Sequence, residues 1–172
     1  MEAIQNIFLI GPMGSGKTTI GRQLASRLGM QFYDSDGEIE KKTGADIALI
    51  FEIEGEEGFR KREAKMIEEL TAKKGILLAT GGGAILSDSN RKFLKSRGRV
   101  VYLKSSPEKL MDRTAKDKKR PLLNTDDRRA TILEMLETRV PLYEEVADLV
   151  IQTDNNIIKQ IVNRICQQLD LP

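Results

Sequence analysis

The sequence predicts an α/β fold built on a five-stranded parallel sheet with helices on both faces. Three observations carry that prediction: apolar runs alternate with helical patterns along the chain, the first run passes directly into a glycine-rich loop, and no repeat or long linker divides the rest. Alternation of this kind gives a sheet covered on both sides, with ligands gathering at the carboxyl ends of its strands.

Residues 7–10, Ile-Phe-Leu-Ile, form an unbroken apolar strand suited to burial on both faces. Gly11-Pro12-Met13-Gly14-Ser15-Gly16-Lys17-Thr18 then matches glycine, four residues, Gly-Lys and a hydroxyl side chain, the pattern of a phosphate-binding P-loop. Its glycines let successive N–H groups converge on phosphate oxygens, and the helix expected over 18–28 adds its positive end at the same point. Lys17 can reach the outer phosphates, and the Thr18 hydroxyl can ligate magnesium. A bare glycine turn with Lys17 in water would also fit the pattern. The strand before the loop, and the helix after it with Ile20, Leu24 and Leu28 inward, argue for the P-loop.

Residues 31–34 read as the second strand, 76–80 as the third, 99–103 as the fourth and 149–151 as the fifth. Helices are expected at about 38–42, 46–51, 57–73, 88–96, 107–116, 128–140 and 157–169. The second strand runs into Asp34-Ser35-Asp36, two carboxylates beside the P-loop. One could hold the water shell of a metal and the other take a proton from an attacking hydroxyl, although Asp is also a preferred helix cap. The third strand ends in Thr80-Gly81-Gly82-Gly83 and lacks the acidic residue by which many P-loop ATPases hold magnesium, which disfavours motor and switch ATPases. The guanine-reading Asn-Lys-x-Asp motif is absent as well.

Arg60, four residues after Glu56 and three before Glu63, has an exposed ion pair as its plain explanation, worth under about 1 kcal/mol. Arg139, next to Val140-Pro141, would by the same economy compensate the carbonyl end of its helix. The run Lys116 to Arg120, followed by Pro121, is either a solvated turn or a lid that brings Arg120 over nucleotide phosphates.

Composition limits what such a loop serves. The 172 residues suit one globular domain, 31% charged and 40% hydrophobic. A net charge of +2 gives no global field toward nucleic acid or a membrane. With no histidine in the sequence, histidine bases and histidine metal sites are excluded. The single cysteine, Cys166, cannot form an internal disulfide and sits among apolar residues at helical spacing. Neither a signal peptide nor a spanning helix is expected, so a cytoplasmic enzyme fits.

Taken together, the residues resemble the shikimate kinases, of the nucleoside-monophosphate-kinase-like P-loop fold. The resemblance rests on GPMGSGKTTIGR at 11–22, FYDSD at 32–36, EGEEGFRKRE at 54–63, LATGGG at 78–83, DKKRPLL at 117–123 and ETRVPLYEEVAD at 137–148. It implies a single three-layer P-loop kinase domain over 1–172 that phosphorylates the 3-hydroxyl of shikimate with ATP and Mg2+. The substrate-binding region would lie at about 34–63 and the lid at about 113–125. Position by position, the resemblance makes Gly14, Ser15, Gly16, Lys17, Thr18 and Thr19 the phosphate cradle, with Thr18 on magnesium and Asp34 in its outer shell. Asp36 would hold the shikimate hydroxyls and accept the proton. Arg60 and Arg139 would grip the carboxylate, with Gly81, Gly82 and Gly83 donating backbone hydrogen bonds. Arg120 would meet ATP phosphates and act with Lys17 in catalysis, and Arg113 would lie against adenine. Asn156 ends an adenine-proximal loop where the family pattern carries Gln. The partners implied are shikimate and ATP, with no nucleic acid and no membrane, and the chain acting as a monomer.

Other readings stay open at this point. A kinase for gluconate or a nucleoside monophosphate would share the loop. A nucleic-acid module using the 116–120 cluster is disfavoured by eight aromatics and no stacking motif. A non-catalytic nucleotide-binding regulator is disfavoured by the presence of Lys17, Thr18, Asp36 and both arginines together.

Overall fold

A computed structural model of the chain describes residues 4–115 and 121–172. Strands β1 (Ile7–Ile10), β2 (Gln31–Asp34), β3 (Ile76–Ala79), β4 (Arg99–Lys104) and β5 (Leu149–Gln152) form one parallel sheet in the order β2-β3-β1-β4-β5. The predicted strands agree with these to within a residue at either end. Phe8 aligns with Leu78 on one side and Val100 on the other, so β1 is central, and its carboxyl end feeds the P-loop.

Alternate residues of the central strands point to opposite faces, and each face is apolar. Ile7, Leu9, Leu77, Val101 and Leu103 pack beneath α1 (Lys17–Leu28) and α7 (Ile158–Gln168), whose Ile20, Leu24, Ile161 and Ile165 point inward. Cys166 lies in this layer, buried as expected. Phe8, Ile10, Leu78, Val100 and Tyr102 face the other layer, made by α3 (Ile47–Thr71), α4 (Asp88–Arg97) and α6 (Arg128–Val146). A full side chain buried this way contributes roughly 1.5–3 kcal/mol. The short α2 (Ser35–Thr43) follows β2 directly, and α5 (Pro107–Thr114) leads into the predicted lid. Arg120 and the rest of the 116–120 cluster lie outside the described residues. Among the described residues no helix is long and apolar enough to cross a membrane.

Two helices depart from expectation in ways that matter for the site. The predicted helices at 46–51 and 57–73 are one helix, α3, broken only at Gly55, with φ 72° and ψ −178°. Phe51 and Phe59 meet across this break with ring centroids 4.9 Å apart. The predicted stop at Val140 is wrong: α6 continues through Pro141 to Val146. A proline inside a helix costs about 3 kcal/mol or more, and here the next turn buries Tyr143 and Val146 in the core. Arg139 is therefore mid-helix, and the carbonyl-end explanation for it falls.

Candidate active site

The loop after β1 is shaped by its glycines. Gly11 takes φ 148°, and a Cβ there would stand 2.6 Å from the Leu103 carbonyl oxygen, so only glycine fits. Gly16 caps α1 in the left-handed region and offers no side chain to the helix amides, which stay available to an anion. Lys17 is buried, its Nζ donating to the Gly11 carbonyl at 2.7 Å and to the Pro12 carbonyl at 2.8 Å. The ammonium is thus held at the mouth of the loop.

Both roles weighed for the β2 carboxylates are present. Asp34 caps α2, its Oδ1 accepting from the amides of Asp36 at 3.1 Å and Gly37 at 3.3 Å. Its Oδ2 accepts from the Thr18 hydroxyl at 2.6 Å. A hydroxyl and a carboxylate beside a phosphate loop form an oxygen-only donor pair suited to a hard cation.

A cleft of about 550 Å³ joins this loop to a second half. Gly14, Gly16, Lys17, Thr18, Thr19 and Asp34 line it on the P-loop side, and Asp36, Arg60, Gly81, Gly82, Gly83 and Arg139 line the rest, with Gly82 against the P-loop backbone at Met13. Ser15 is buried behind the loop, 3.4 Å from Lys17 Nζ. These predicted residues therefore share one space, supplied by different elements at the carboxyl edge of the sheet, whereas Arg113 and Asn156 do not line it.

Arg60 reaches the cleft from α3 just beyond the kink. Its Nη1 donates to Glu63 Oε1 at 2.9 Å and its Nη2 to Glu56 Oε1 at 3.3 Å. The Glu63 side chain is only 1% exposed, so the exposed ion pair expected from sequence is instead partly interior. Burial pushes the Glu63 carboxyl up to about 7, with nearby Asp36 adding to the rise and Arg60 and Arg139 opposing it. Arg139 is itself buried, and desolvation together with the facing Arg60 pulls its guanidinium below the ordinary value. Two guanidinium groups face each other here. Such a pair favours an anion in the cleft, and a ligand carboxylate suits guanidinium geometry. Arg60 Nε and Glu63 Oε2 are buried polar atoms with no hydrogen-bond partner among the described residues.

Of the three glycines, Gly81 already gives its N–H to Ser35 Oγ at 2.9 Å. This corrects the expectation that all three amides serve a ligand; Gly82 and Gly83 are the two that fit it. A Cβ on Gly81 would stand 2.8 Å from both Asp36 Oδ1 and Glu63 Oε2, so the turn passes directly over these carboxylates. On the far side of the P-loop, Arg113 donates to the Gly14 carbonyl at 3.1 Å, to Ser105 Oγ at 3.1 Å and to the Thr153 carbonyl at 3.3 Å. It braces the phosphate loop against the β5 turn. Asn156 is half-buried on that turn, its Nδ2 donating to the Gln152 carbonyl at 3.2 Å.

Sequence reasoning missed Glu63 and Tyr143 as site residues. Each lies one helical turn beyond a singled-out arginine, Glu63 three after Arg60 and Tyr143 four after Arg139, and that spacing was the available signal.

A family model described as shikimate kinase matches residues 13–170. A shikimate kinase of Histophilus somni (strain 2336) is 56% identical over 171 residues, covering 99% of this chain and 98% of the relative. One from Psychromonas ingrahamii is 58% identical, with 99% of each chain covered. Among solved structures, the shikimate kinase of Acinetobacter baumannii in complex with shikimate superposes with a TM-score of 0.96 at 50% identity, covering 98% of this chain and 94% of that one.

Proposed function

The chain belongs to the shikimate kinase family, and we propose that it transfers the γ-phosphoryl group of ATP to the 3-hydroxyl of shikimate. The products are shikimate 3-phosphate and ADP, on the chorismate route to the aromatic amino acids. One observation carries the reading: Lys17 and the P-loop share a single cleft with Asp36, Arg60 and Arg139.

Phosphoryl transfer passes through a loose transition state, so the protein mainly positions reactants and neutralises charge. The P-loop amides and Lys17 take the ATP phosphates at one end. Arg60, Arg139 and the Gly82–Gly83 amides take the shikimate carboxylate at the other. Asp34 is bonded to Thr18 and to the α2 amides, and Asp36, lining the cleft with Arg60 and Arg139, would orient the acceptor hydroxyl and receive its proton. Thr18 would hold Mg2+ directly, with Asp34 in its outer shell. Among the described residues no three acidic or cysteine side chains gather as a cation cage, and magnesium is usually bound through one or two protein groups plus substrate phosphates. Bound there, the ion would supply charge neutralisation for the phosphates. Residues 34–63 form the acceptor-binding region and residues 113–125 the lid, with Arg120 meeting the phosphates and Arg113 and Asn156 flanking adenine. The protein acts as a cytoplasmic monomer.

A coupled ADP-release assay with shikimate, gluconate or a nucleoside monophosphate as acceptor tests reaction and substrate together. Release that depends on shikimate is expected, and equal release with another acceptor would refute the assignment. Asp36→Asn should fold normally and lose about 10²- to 10⁴-fold in kcat, the usual worth of a positioned proton acceptor. Near-normal turnover of that variant would remove Asp36 from the role.

A further inference from the structure

Tyr143 belongs to no motif position assigned above, yet its hydroxyl joins the two parts of the acceptor end. Because α6 runs on through Pro141, Tyr143 lies one turn beyond Arg139 on the same helix face. Its ring is buried and stacks on Tyr102 of β4, with centroids 4.9 Å apart and planes 25° apart. The ring alone accounts for the packing.

The hydroxyl does something different. It donates to the Gly82 carbonyl at 2.6 Å, and Arg139, four residues earlier on the same helix, is its electrostatic neighbour. In a trans peptide the carbonyl and the following N–H point in opposite directions. Fixing the Gly82 carbonyl on Tyr143 therefore turns the Gly83 N–H away from Tyr143. Gly81 cannot substitute as donor, because its N–H is held by Ser35.

We propose that Tyr143 is a positioning residue for the acceptor carboxylate, its hydroxyl holding the Gly82–Gly83 peptide beside the Arg139 guanidinium so that both serve a single anion. This rests on the reading of Arg139 and the glycine turn as the carboxylate clamp. Burial also pushes the Tyr143 hydroxyl well above the ordinary tyrosine value, so it keeps its donated proton throughout the working pH range.

The test compares Tyr143→Phe, Arg139→Ala and the double variant in steady-state kinetics on the full chain, with thermal unfolding of each. Phenylalanine keeps the ring and its stacking and deletes only the hydroxyl. In Tyr143→Phe the KM for shikimate should rise about 10-fold, the worth of one hydrogen bond to a charged group. The KM for ATP and kcat should stay within about two- to threefold of the parent. In the double variant the losses in KM for shikimate should be less than multiplicative, because the glycine turn and the arginine serve one carboxylate. An unchanged KM for shikimate in Tyr143→Phe overturns the proposal, as do equal rises in both KM values or fully multiplicative losses in the double variant. If Arg139→Ala itself leaves the KM for shikimate unchanged, the clamp reading fails first and the proposal falls with it.

Discussion

Glu63 sits 2.9 Å from the Arg60 guanidinium, yet burial outweighs that attraction and carries its carboxyl from an ordinary 4.5 up to about 7. Asp36 pushes in the same direction, while Arg60 and Arg139 push against it. The sign for stability follows from proton counting. Between pH 4.5 and about 7 the folded chain holds this proton more often than the unfolded chain does, so the Glu63 contribution to stability is largest at the acid end and declines as pH rises through the window. The decline is at most about 1.4 kcal/mol per pH unit. Glu63→Gln keeps the shape and cannot ionise, so urea unfolding of the variant should gain on the parent as pH is raised from about 5 to about 8. Substrate use should run the other way. Only ionised Glu63 anchors Arg60 as an ion pair, so the parent's KM for shikimate should fall as pH rises through about 7, and the variant should lack that inflection. A parent and a variant with parallel pH profiles in both measurements would show that Glu63 stays charged throughout.

At the scale of elements, α3 is the informative case. Gly55 adopts φ 72° with ψ −178°, a region open essentially to glycine alone. The break folds Phe51 onto Phe59, and both line the cleft beside Arg60. Gly55→Ala meets no steric neighbour within 4 Å, so its cost is backbone strain, about 1–3 kcal/mol. Urea unfolding should register that loss, and the KM for shikimate should rise while that for ATP does not. A variant as stable as the parent would mean that α3 relaxes without its kink. The sequence carried the break as the gap between 51 and 57, where Gly55 interrupts the helical pattern locally. It did not carry the rejoining of the two halves. The P-loop, the β-strands and α1 were legible for the same reason, since glycine geometry and apolar runs are properties of a few adjacent residues. The continuation of α6 was not, because what overrides Pro141 is the burial of Tyr143 against Tyr102, more than forty positions away in the chain. Burial of Glu63 escaped notice for a related reason: its neighbours Asp36 and Gly81 arrive from other elements.

For the molecule as a whole, the two ends of the cleft hang on different parts of one sheet edge. The P-loop end belongs to β1 and α1, whereas the acceptor end belongs to α2, α3, α6 and the turn after β3. A ligand that binds only the folded chain stabilises it by RT ln(1 + [L]/Kd), about 2.7 kcal/mol at a hundredfold excess over Kd. For a chain of this size that is a rise in Tm of roughly 5–10 °C. ATP and shikimate should each give such a shift, and the division of labour predicts how substitutions separate them. Arg60→Ala should remove most of the shikimate shift and keep the ATP shift, because Arg60 is tied to Glu56 and Glu63 and to nothing in the P-loop among the described residues. Lys17→Ala should do the reverse, since Lys17 Nζ is held by Gly11 and Pro12 at the far end. Thermal unfolding with each ligand in turn measures both. If either substitution abolished both shifts together, the cleft would be one cooperative site, and the separate seating of nucleotide and acceptor would have to be abandoned.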